Sequence, residues 1–105
     1  MSEISLTIHD GSDDLYMDWL DRNPEGFVIN SHRDPDPTYI VLHRATCHSI
    51  SQYTRSSSEG AFTERSYIKT CSPSIDELRD WAHHNGRADR AFSRECGFCK
   101  PTEKR

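Results

Sequence analysis

The 105-residue chain predicts an α+β fold, a small and mainly antiparallel sheet with two helices held together through its cysteines. Three observations carry this. Short runs rich in β-branched and aromatic residues alternate with two stretches that repeat apolar residues at helical spacing. Clusters of Pro, Gly and Asn separate them. Four cysteines, Cys47, Cys71, Cys96 and Cys99, offer cross-links to a chain that is only 33% hydrophobic.

Ile4, Leu6 and Ile8 alternate with Ser5 and Thr7, the period of a short strand. Gly11, Ser12 and Asp13 form a turn and helix start, and Leu15, Tyr16, Trp19 and Leu20 then recur on one helical face. Asp14, Asp18 and Asp21 fall on the opposite face, and Asn23-Pro24-Glu25-Gly26 ends the helix. Residues 27–30 and 39–43 read as two strands of a hairpin around the rigid Arg33-Asp34-Pro35-Asp36-Pro37 loop. Residues 51–60 are polar, with three serines at their centre, and read as a mobile loop. A further strand spans 62–70. Ser74 and Glu77 form a capping box for a helix carrying Ile75, Leu78, Trp81 and Ala82, which stops at Asn85-Gly86. Beyond Arg87 only Phe92 and Phe98 interrupt a polar tail, whose last residues, 100–105, read as disordered.

The length fits a single domain, residues 1–105, and the mean hydropathy of −0.85 leaves a thin apolar core. The N-terminus has no basic, apolar leader pattern, and no run approaches the ~20 apolar residues of a membrane span, so the reading is cytoplasmic. Thiols stay reduced there, and clustered cysteines more often bind metal than form disulfides or pack as buried free thiols. The expected set is one structural Zn2+ held by Cys47, Cys71, Cys96 and Cys99, with two singletons joining the Cys96-x-x-Cys99 turn. Histidine could replace one cysteine, since His43 lies four residues before Cys47 and His48 lies beside it; both are also candidates to orient the site from behind the ligands. Four protein ligands leave no position for a reactive water. The Cys-Gly-Phe-Cys segment also resembles redox motifs, but the six residues after Cys99 include a proline and leave no room for the helix such motifs open.

The net charge is −4, concentrated in residues 1–25, which sum to −6 and leave +2 over the remainder. A dedicated nucleic-acid binder usually shows a stronger basic excess, so the charge alone does not argue for nucleic acid. A local basic and aromatic surface stays open: Arg33, Arg44, Tyr53, Arg55, Arg65, Tyr67 and Lys69 could grip phosphates and stack on bases. His83-His84-Asn85 has the wrong order for a His-Asn-His nuclease and suits a helix C-terminus.

The segments Trp19-Leu20, Asn23-Pro24-Glu25-Gly26-Phe27-Val28-Ile29-Asn30, Tyr39-Ile40-Val41-Leu42-His43-Arg44-Ala45-x-Cys47, Tyr67-Ile68-Lys69-x-Cys71 and Cys96-x-x-Cys99 resemble a small four-cysteine domain of actinobacterial proteins, found beside nuclease or restriction modules. That resemblance implies that the four cysteines act as a set and that the role is DNA-associated, in a bacterial defence setting. It transfers no catalytic residue. The expectation is therefore a non-catalytic zinc-binding recognition module whose partner is DNA. A protein-interaction adaptor using the acidic first helix stands second and a redox protein third; no membrane and no small-molecule cofactor is expected.

Overall fold

The computed structural model describes residues 6–34, 36–50, 62–63, 66–88 and 91–102. Its elements are β1 (Thr7–His9), α1 (Asp13–Arg22), β2 (Phe27–His32), β3 (Ile40–Arg44), a single 3-10 turn (His48–Ile50), β4 (Tyr67–Ser72), α2 (Ile75–His84) and β5 (Arg94–Glu95). The five strands form one sheet in the order β1-β4-β2-β3-β5, antiparallel except for the parallel pair β3 and β5. The fold is α+β, as the sequence predicts.

The β2–β3 hairpin pairs Val28 with His43 and Asn30 with Val41, and β4 lies on the other side of β2, pairing Val28 with Cys71 and Asn30 with Lys69. Side chains alternate across a strand, so this register sorts the sheet into two faces. One carries Val28, Cys71 and the core residues Tyr16 and Leu20 of α1, joined by Ala45, Cys47, Ile50, Phe62 and Cys96. The other carries Ile29, Ile40 and Leu42 against Leu78 and Ala82 of α2, with Phe92. Each helix therefore covers one face, and the thin apolar supply is divided between two small cores.

Polar groups tie these layers together. The buried Tyr16 hydroxyl donates to the Ile50 carbonyl at 2.7 Å. Asp13, in the first turn of α1, is buried and accepts from Thr63 through its N–H (2.8 Å) and its hydroxyl (2.7 Å). Lys69 is only 3% exposed and donates to Asn30 Oδ1 and to the Phe62 carbonyl, both at 2.8 Å. Its burial pulls the ammonium down to about 8, opposed by Asp13 and Cys71.

Several elements differ from the sequence reading. The strand read over 62–70 begins at Tyr67 and runs through Ser72, while Phe62 and Thr63 form a turn packed on Asp13. Leu15 belongs to the predicted stripe of α1 yet is 65% exposed, and the first turn buries Asp13 in its place. Ser12 caps α1 by accepting from the Leu15 N–H. At α2 the Ser74 side chain makes no cap bond. Ser72 replaces it, accepting from the Ser74 N–H at 2.9 Å and donating to Glu77 at 2.5 Å, because β4 delivers its last residue to the helix start. Gly86, at φ +106°, ends α2 in a conformation that glycine adopts without strain. Pro101 is buried rather than part of a free tail; residues 103–105, the 51–60 segment and Ile4 lie outside the described residues.

The two leucines give a direct test of this packing. Leu78→Ala removes a fully buried side chain and costs about 2–5 kcal/mol. Leu15→Ala stays within about 0.5 kcal/mol of the parent in urea denaturation.

Candidate metal centre

Three segments converge at one end of β3. His43 sits on β3 itself, and the Ala45–Thr46 turn brings Cys47 back after it, closed by the Cys47 N–H on the Arg44 carbonyl at 3.0 Å. The third segment is the tail. Ser93 and Cys96 donate their N–H groups to the carbonyls of Ile40 and Leu42, both at 2.9 Å, so β5 runs alongside β3 and ends with Cys96 next to His43. Ser93 Oγ adds a bond from the Ile40 N–H at 2.7 Å, which locks this register.

The Cys96-Gly97-Phe98-Cys99 segment is a tight turn, closed by Lys100 N–H on the Cys96 carbonyl at 3.0 Å. Lys100 has φ +45°, the left-handed conformation that glycine often supplies at this position. Arg44 holds the turn against β3. Its backbone N–H donates to Cys99 Sγ at 3.2 Å, Nε to the Cys99 carbonyl at 2.8 Å and Nη2 to the Lys100 carbonyl at 2.9 Å.

The result is a group of His43, Cys47, Cys96 and Cys99 whose ligand atoms all lie within 4.8 Å of one another, the first three residues buried and Cys99 half-buried. Cys47 Sγ and Cys96 Sγ are 3.9 Å apart, and none of the three cysteines is in a disulfide. A tetrahedral ion bound by sulfur at about 2.3 Å places its sulfurs roughly 3.8 Å apart. These four residues could hold a metal ion.

The electrostatics fit that occupant. Burial holds His43 near 4, helped by the charge of Lys69, so its ring is neutral at pH 7, the form that ligates. Its Nδ1 atom is buried and has no hydrogen-bond partner among the described residues. Burial raises Cys99 to about 12; the Arg44 N–H pulls the other way, and Cys47 and Cys96 add to the rise. Burial also pushes Cys96 up, but the N–H groups of Cys99 and Phe98, with the neighbouring thiols, bring it below its ordinary value. Three thiols this close cannot all ionise without a cation between them. A metal ion supplies that charge.

The ligand set differs from the four cysteines of the sequence reading. Cys71 lies within β4, not after it, and is not part of the group. Register explains why: the row runs Cys71, Val28, His43 across three adjacent strands, so Val28 stands between Cys71 and the ligand strand. At about 4.8 Å per strand, the Cys71 backbone is roughly 10 Å from that of His43. Burial pushes the Cys71 thiol well above its ordinary range against the pull of Lys69, and it packs in the α1 core as a small apolar group. His43, read both as a possible replacement for one cysteine and as support from behind the ligands, is in the ligand group, whereas His48 is exposed and outside it. The spacing to Cys47 pointed to His43 as a candidate, but nothing in the sequence showed that it takes the place of Cys71. The missing piece was β5.

The basic residues are placed as follows. Arg44 latches the Cys96–Lys100 turn, and Lys69 is buried beneath the sheet face. Arg33 donates to the carbonyls of Asp10 (2.8 Å) and Thr63 (2.6 Å). Each of the three is bonded to backbone carbonyls, which accounts for its charge structurally. Tyr53, Arg55 and Arg65 lie outside the described residues. His83 and His84 pair with the carbonyls of Arg87 and Asp80. No described helix is long and apolar enough to cross a membrane.

Substitutions separate the two ligand sets. Cys71→Ser keeps one metal ion per chain in native mass spectrometry under reducing conditions, while Cys96→Ser and His43→Ala lose it; loss from Cys71→Ser would restore the four-cysteine set.

No protein-family model matches the chain, and neither the curated proteins nor the solved structures contain a match.

Proposed function

We propose that this chain is a non-catalytic recognition module held together by one structural zinc ion, and that its partner is nucleic acid. The observation that carries the zinc reading is the convergence of His43, Cys47, Cys96 and Cys99 from three separate segments. Three thiolates and one imidazole suit zinc over harder, oxygen-seeking cations. Such a shell is complete without water, so the ion contributes folding energy rather than an activated hydroxide. Binding it adds a further tie between β3 and a tail already held by the β5 pairing and the Arg44 bonds.

The nucleic-acid reading is supported by the sheet face beyond α1. His32 stacks on Tyr67 with centroids 5.0 Å apart and meets Tyr39 at 4.5 Å, forming an aromatic row across the sheet. Exposed Arg94 and Phe98 border it. Aromatic faces beside a cation on an open sheet are the elements with which proteins stack bases and hold their phosphates. A second reading, a protein-binding adaptor, is favoured by the exposed Leu15 set among the exposed Asp14, Asp18 and Asp21 of α1.

Protein purified under reducing conditions carries one zinc per chain. Its removal by a chelator lowers the thermal midpoint by on the order of 10 °C or more, since a domain of this size shifts about 4–8 °C per kcal/mol. An unchanged midpoint would refute the structural role. The adaptor reading predicts capture of a basic protein partner that Leu15→Ser abolishes with nucleic-acid binding intact.

A further inference from the structure

Between the aromatic row and the C-x-x-C turn lies an open cleft of about 330 Å³. Its size is near the lower end of the range for small-ligand sites, about 300–1,000 Å³. Val41 and Asn30 form part of its lining from the sheet, Tyr39 stands on one side, and Arg94 and Phe98 come from the tail. His43 and Cys96 also line it, so the ligand group and the cleft share a wall.

Three side chains of the cleft present groups that a ligand could use. Phe98 is 83% exposed at the tip of a turn that Arg44 fixes in place. An exposed aromatic ring on a rigid turn is a face held ready for a partner, with little conformational entropy left to lose on binding. Arg94 is exposed on β5, within electrostatic reach of Tyr39. Tyr39 accepts from Asn30 Nδ2 at 3.4 Å, and Asn30 in turn accepts from Lys69 through Oδ1 at 2.8 Å. The buried ammonium fixes which way the Asn30 amide faces, so the Tyr39 oxygen is the acceptor of that bond and its O–H is the donor left for a ligand.

We infer that this cleft takes one unpaired nucleobase. The base stacks on Phe98, its carbonyl edge accepts from the Tyr39 O–H, and its phosphate meets Arg94. This inference rests on the nucleic-acid reading above and narrows it to unpaired strands or extruded bases. A duplex keeps its base faces stacked internally and offers them to neither ring. With one cation among its described rim residues, the cleft also offers a duplex backbone fewer phosphate contacts than comparable affinity needs. Recognition here depends on stacking and one donor, with a small electrostatic share.

The test uses the zinc-loaded full chain and fluorescence anisotropy with a labelled single-stranded DNA of mixed sequence, its RNA counterpart and the same DNA as a duplex. The expected result is binding of a single strand, of either sugar, at least tenfold tighter than duplex. Phe98→Ala weakens it by roughly five- to 150-fold, the range of one base–aromatic stack, and Arg94→Ala reduces the salt dependence by about one phosphate. Leu15→Ala, on the exposed side of α1, leaves binding unchanged, and unchanged zinc content and thermal midpoint show that the Phe98→Ala chain folds. Duplex binding as tight as single-strand binding, or indifference to Phe98→Ala, overturns the cleft and leaves the nucleic-acid reading standing. No binding of any of the three probes at about 50 mM salt overturns both.

Discussion

The parallel pairing of β5 with β3 is the constraint on which the site depends. It is short, two residues in β5, and is reinforced by Ser93 on Ile40 and by Cys96 on Leu42. Without it the tail has no fixed height along β3, and Cys96 and Cys99 have no reason to meet His43 and Cys47. Arg44 completes the arrangement from the other partner, since a single residue of β3 holds both a thiol and two carbonyls of the turn. Hydrogen bonds from a charged donor contribute about 1.5–3 kcal/mol, a large share for so short a strand. The same contacts bring Phe98 and Arg94 to the cleft, so the proposed scaffold and the proposed recognition surface stand or fall with one strand pairing.

A second theme is the internal use of charge. A chain with 29% charged residues and few apolar ones has to stabilise its layers with polar contacts. Asp13 holds the Phe62–Thr63 turn, Lys69 holds both that turn and Asn30, and Arg33 ties β2 to the residues around Asp10 and Thr63. Buried groups of this kind are stable only when their partners are present, so each one fixes the position of a loop. Composition therefore misleads about function here: three cations that could have faced phosphates are bonded to the protein itself. The aromatic groups show the converse. Tyr39 and Phe98, unremarkable in composition, face the cleft.

Much of the fold was legible in local chemistry. Strands rich in β-branched residues, the Ser12 cap, the Asn23–Gly26 stop and the glycine that ends α2 are all short-range signals, and the helices and the β2–β3 hairpin follow from them. The capping of α2 was legible only in part. Ser74 has the right spacing to Glu77, but β4 places Ser72 closer, and proximity in space outranks spacing in sequence.

The sequence by itself determined the fold class, the two helices, the hairpin and the gathering of cysteines into a group that could hold a metal, because these depend on periodicity, turn residues and residue chemistry. Which four donors gather was decided by tertiary structure. Cys71 and His43 are on the same face of the same sheet, and only strand order separates them: Val28 lies between Cys71 and the ligand strand, while β5 adds Cys96 on the far side of β3. Strand order is a long-range property with no local signature, and a two-residue strand in a polar tail leaves almost no pattern to read.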